Sequence, residues 1–293
     1  MSRPVGAQEV MIDGGDEMLT DVFVPLLTFP DDAKPTALPR LSGLVERFAT
    51  HITYCGVEIN VPDLADRWGG ALIALPQMIA DAERRSRQNA SDLLLSTRGL
   101  SQRLLAETFT IRAAFGSTGP AIAHRARHHD LSAMTLRRGS VEHAALAESL
   151  MFDSSRPLLV VPDGTDRSDD ASRIAVAWDD SPTASRALYD AMPLLVFATD
   201  VAVLTAHEDK PVSKAAVEAT LGYLQRHGVK ARMVHVDMGT AGIGKALQQA
   251  AVSEQAGLLV MGAYGHSRLR EFVLGGATAG VLNAPLLPIF FSR

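Results

Sequence analysis

Short apolar runs alternate with stretches whose apolar residues recur at helical spacing, and the alternation starts near residue 21. Asp21 to Phe29 (DVFVPLLTF) reads as a strand that Pro25 makes irregular. Leu41, Leu44, Val45 and Phe48 lie on one face of a helix over 38–50, and His51 to Val61 is a β-branched, aromatic strand. A long helical region follows over 75–106, its ADAERRSRQ segment a solvated face. Thr108 to Phe115, Leu131 to Leu136 and Pro157 to Pro162 read as strands, separated by helices from about Pro120 and over Val141 to Met151.

The same order then returns. Arg173 to Trp178 is a strand ending in the acids Asp179 and Asp180. Ser181 suits a helix N-cap and Pro182 the first helical position, where a missing N–H costs nothing. Ala184, Ala187, Leu188, Ala191, Met192 and Leu195 form one apolar stripe. Strands over Val201–Ala206 and Val229–Val236 and helices over 212–227 and Ile243–Gln255 lead to a buried strand, Leu258 to Met261. Asp31–Asp32 before Pro-Thr echoes Asp179–Asp180 before Pro182–Thr183, and Pro157-Leu-Leu echoes Pro285-Leu-Leu. The chain therefore reads as a tandem duplication, the first copy lengthened within 75–106. Strands alternating with helices predict an α/β fold with parallel sheets.

Composition narrows the function. With 33 acids against 28 bases the net charge is −5, which argues against a general nucleic-acid binder. A single cysteine, Cys55, excludes an internal disulfide and suits a reducing compartment. The N-terminus reads as no signal peptide and no apolar run is long enough to span a membrane, so a cytoplasmic location is expected. His124 and His128 have the i, i+4 spacing of metal ligands but no acid or cysteine at motif spacing, so surface histidines are the simpler reading. Ser181 and Ser267 have no base that can be placed beside them, and no Walker-type or other nucleotide-cleaving motif occurs, so no catalytic residue is assigned.

The informative stretch is the last. From Gly257 the chain reads GLLVMGAYGHSRLREFVLGGATAGVLNAPLLPIFF: a strand, Gly262 and Gly265 three apart, a gap, Gly275 and Gly276, then Ala277 and Thr278 opening a helix. Glycines at a strand's carboxyl end let backbone N–H groups approach a ligand, and a helix N-terminus beside them favours phosphate. This G-x2-G-x9-G pattern, with RIAVAWDDSPTASRAL upstream, resembles the universal stress protein family. The resemblance implies two tandem doubly wound domains, each a five-stranded parallel sheet of order 3-2-1-4-5 flanked by helices, over 1–165 and 172–293. It implies an adenine nucleotide, ATP foremost, in the second domain, with Asp179 toward adenine or ribose and Met261 and Gly262 as floor. Gly265, Gly275, Gly276, Ala277 and Thr278 would surround the phosphates, with His266 inside the same loop. Gly276 replaces the family's usual Ser or Thr, removing a hydroxyl donor but keeping the N–H. The first copy, with Thr135 and Arg138 opposite Gly262 and Gly265, is expected not to bind nucleotide. The domains are expected to pair as an internal pseudo-dimer, with a homodimer and a protein partner also in view. The expected role is regulatory, in a stress response; a nucleotide-free scaffold is the main alternative, and an ATP-cleaving enzyme the lesser one.

Overall fold

A computed structural model of the chain describes residues 19–30, 35–61, 75–164, 171–206, 212–237, 242–263 and 276–293. Strands β1 (Asp21–Leu27), β2 (His51–Asn60), β3 (Leu105–Ala114), β4 (Leu131–Leu136) and β5 (Leu158–Pro162) come from the first half. The second half supplies β6 (Arg173–Ala177), β7 (Asp200–Ala206), β8 (Ala231–Val236), β9 (Leu258–Gly262) and β10 (Ile289–Ser292). They form one sheet in the order β3-β2-β1-β4-β5-β10-β9-β6-β7-β8. Each half thus follows 3-2-1-4-5, as expected. The halves are not separate sheets, however: β10 pairs antiparallel with β5, Phe290 opposite Leu159, and the other described ladders are parallel.

The inner strands are buried on both faces, so their residues alternate between two cores. Val24, Tyr54, Leu159, Val176, Val260 and Phe290 share one face with α1 (Leu38–Val45), α5 (Pro182–Asp190), α6 (Met192–Leu195) and Leu224 of α7 (Lys214–Arg226). Phe23, Cys55, Met134, Val160, Met261 and Phe291 share the other with α3 (Thr118–Ala126), α4 (Val141–Asp153), α8 (Ile243–Ser253) and α9 (Gly276–Asn283). Burial pushes the Cys55 thiol up to about 12, which makes it an inert core residue.

Several boundaries move from the sequence reading, each for a local reason. The helix expected over 75–106 is α2, Leu75–Ser96, and β3 already begins at Leu105. Ser96 and Thr97 turn their hydroxyls back on the Leu93 and Leu94 carbonyls, and Gly99 takes a φ of 77° that ends helical progression. The apolar stripe over 184–195 is broken at Ala191 into α5 and α6, because Pro193 has no N–H to continue the helix. The helix expected over 38–50 ends at Val45. Pro25 stays inside β1, pairing in register with Cys55, while the ladder to β4 stops at Phe23. No described helix is long and apolar enough to cross a membrane.

Candidate functional site

In a doubly wound sheet a ligand sits beyond the carboxyl ends of the strands at which the winding reverses. In the second half these are β6 and β9, adjacent and in register at Val176 and Val260. Beyond β6, the Trp178 N–H donates to the Leu204 carbonyl at 2.9 Å. The Trp178 side chain is 7% exposed, and its indole N–H has no partner among the described residues. Asp179 and Asp180 are exposed. The Asp179 Oδ1 accepts the Ser181 N–H at 3.0 Å, and Asp180 takes a left-handed φ of 61°. Ser181 then caps α5, its Oγ accepting the Ala184 N–H at 3.1 Å, with Pro182 opening the helix. The acid pair is therefore also the turn that starts α5.

The expected glycines fare differently. A Cβ on Gly262 would lie 2.7 Å from the Thr183 carbonyl carbon and 2.8 Å from the Ala184 nitrogen. The absent side chain thus makes room for the first turn of α5, and this close approach clamps the β6 turn to the end of β9. Met261 is buried in the core shared with Val281 and Leu282 of α9. Gly276 and Ala277 open α9, and Thr278 is buried. The first N–H groups of such a helix have no intrahelical partner and carry its positive end. Gly265, His266 and Gly275 lie outside the described residues. Asp179, Gly262 and the turn between them thus share one end of the sheet, and the backbone of α9 begins from the same strand connection.

The corresponding place in the first half is closed by side chains. Between the ends of β1 and β4 lies a cavity of about 20 Å³, lined by Leu27, Phe29, Pro30, Thr135, Arg137 and His143 among others. That is room for about one water molecule. The His143 Nδ1 accepts the Arg137 N–H at 3.1 Å, and Ser140 caps α4 through the His143 N–H. The α1 end of the cleft is held from afar, Asp163 Oδ1 accepting the Ala37 N–H at 2.7 Å and the Thr36 hydroxyl at 3.1 Å. Asp31 and Asp32, matched in sequence to Asp179 and Asp180, lie outside the described residues.

Two contributors escaped the sequence reading. Trp178 was visible only as the end of a strand, although a large side chain with a polar tip just before an acid was the available signal. The role of Thr183, whose backbone fills the space at Gly262, has no sequence signature.

With this geometry in place, comparison with known proteins adds the family. Residues 154–288 match the model of the universal stress protein family. No curated protein matches the chain in sequence. A universal stress protein from Archaeoglobus fulgidus DSM 4304 shares its fold with a TM-score of 0.66 at 16% identity, over 94% of this chain and 97% of its own. A functionally unknown protein from Pseudomonas aeruginosa PAO1 gives a TM-score of 0.54 at 16% identity, over 94% of this chain and 92% of its own. The second half of the chain thus carries a universal stress protein domain.

Proposed function

We propose that the second half binds an adenine nucleotide, ATP first among them, and that occupancy alters assembly or partner choice in a cytoplasmic stress response. The observation that carries this reading is the meeting of the Asp179 turn and the glycine end of β9 at the point where the winding reverses. Asp179 offers a carboxylate to a ribose or adenine edge, and the α9 N-terminus offers backbone donors to phosphate. Gly265 and Gly275, His266 and the Gly276 to Thr278 helix start complete the cradle in this reading. The first half serves as the structural member of an internal pseudo-dimer over 1–165 and 172–293.

Gly262 favours a second reading. Its missing Cβ is accounted for by α5 alone, so that part of the glycine pattern needs no ligand. In that case the chain is a scaffold. Titration of purified protein with ATP, ADP and AMP separates the two, with mass spectrometry of anything that co-purifies. ATP at a hundredfold over its Kd stabilises a protein by about 2.7 kcal/mol. A melting temperature indifferent to millimolar nucleotide, and no co-purifying adenine, would sink the binding proposal.

A further inference from the structure

The ten-stranded sheet has two outer edges, and they differ in how they are finished. β8 is short, and its Arg232 is tied to Asp200 and Glu254, as Arg112 of β3 is to Glu58. β3 is longer, with no Pro or Gly, and among the described residues it pairs only with β2. Such an edge is a template for another strand unless charge, Pro or a bulge blunts it. Here the ladder to β2 runs unbroken from Leu105 to Ala114.

The direction of the free backbone groups follows from two bonds. The Leu105 N–H donates to the Thr50 carbonyl at 2.9 Å and the Phe115 N–H to the Asn60 carbonyl at 2.8 Å. With a period of two, odd-numbered residues turn their backbone groups toward β2. Ala106, Thr108, Thr110, Arg112 and Ala114 turn theirs outward. On the side-chain side, Leu105 is 64% and Phe115 58% exposed, while Phe109 and Ile111 between them are partly buried.

We infer that β3 is a homodimer edge, pairing antiparallel with β3 of a second copy about a two-fold axis through Thr110. The occupant follows from self-complementarity. In this register Leu105 faces the second copy's Phe115, and Phe109 faces the second copy's Ile111, the aromatic–β-branched pairing that sheets favour. Thr110 faces its own counterpart, and Thr108 faces Arg112. Every outward backbone group from 106 to 114 meets an outward group, and no like charges oppose. Shifting the axis to Phe109 would set Glu107 against Ile111 and leave Phe115 without an apolar partner. The inference does not depend on nucleotide binding.

Sedimentation of the full chain tests it. At about 50 µM, above a micromolar dissociation constant, the wild type should sediment at twice 31.3 kDa. Thr110→Pro removes the axial donor without touching a bond to β2, since Pro is tolerated on an edge. It should weaken association at least tenfold with the melting temperature held. Phe115→Glu, outside the strand and exposed, should also weaken association at least tenfold, with some loss of stability from its edge contact with Phe29. A short bismaleimide should join Thr110→Cys to its counterpart, and should not join Lys214→Cys on α7, with Cys55 buried and silent. A monomeric wild type, or a dimer that persists in both edge variants, overturns the assignment.

Discussion

At the ends of β1 and β4 the chain closes its crossover with side chains, whereas at the ends of β6 and β9 it does so with backbone. Thr135 is buried at the end of β4, and Arg137 and His143 line what space remains beside it. At the same place in the second half stands Gly262, against the first turn of α5. The helices at the two places are also anchored differently: α5 by its own Ser181, α1 by Asp163 from beyond β5. Strand order is preserved through both halves, while the residue at the end of the fourth strand, Thr135 in one and Gly262 in the other, is not. A duplicated fold thus keeps its sheet under strong constraint, because slipping a doubly buried strand exposes a whole apolar face, and its crossover under weak constraint.

The largest test of this contrast is stoichiometry. Calorimetric titration with ATP is expected to give one site per chain, with stabilisation of about 2.7 kcal/mol at a hundredfold over Kd. Gly265→Val should abolish that stabilisation and leave the unliganded melting temperature unchanged. Two equivalent sites would break the comparison outright. Next in size, Gly262→Ala should destabilise by about 1–3 kcal/mol in urea unfolding, because its Cβ has backbone on top of it. Thr135→Ala should cost about 1 kcal/mol, the loss of a little buried surface. Equal costs at the two positions would mean that Gly262 is not the clamp described. Below the Gly262 cost as well, Asp163→Ala should lower stability by about 1–2 kcal/mol and Ser181→Ala by about 1 kcal/mol. Last, Cys55 should resist alkylation at pH 8 until the protein unfolds, since its thiol is pushed up to about 12. Rapid labelling of the native chain would place it outside the core.

What could be read beforehand was what local chemistry encodes. Ser181 and Pro182 announced the start of α5, and unbroken apolar runs such as Leu258 to Met261 announced doubly buried strands. The order within each half came from family resemblance, since period alone does not name a strand's neighbour. The β5–β10 seam was illegible for that reason: PLLVVP and PLLPIFF look alike whether each ends a sheet or joins two. The left-handed turn at Asp180 was hidden because Asp tolerates that conformation without requiring it. Of the cradle itself, the sequence offered glycine spacing, and the structure gave one of those glycines, Gly262, a packing reason.

The antiparallel seam has a geometric outcome. Because β1–β5 run opposite to β6–β10, the two crossovers open on opposite rims of the sheet. The rim bearing Asp179 and Gly262 therefore also carries the starts of the first half's strands, where Asp21 meets His129 at 2.8 Å and Asp130 holds the Thr20 and Asp21 amides. Across the join, the Arg293 guanidinium lies 4.6 Å over the Phe152 ring. A partner approaching that rim would touch both copies at once, so the copy without the glycine motif still shapes what the other displays.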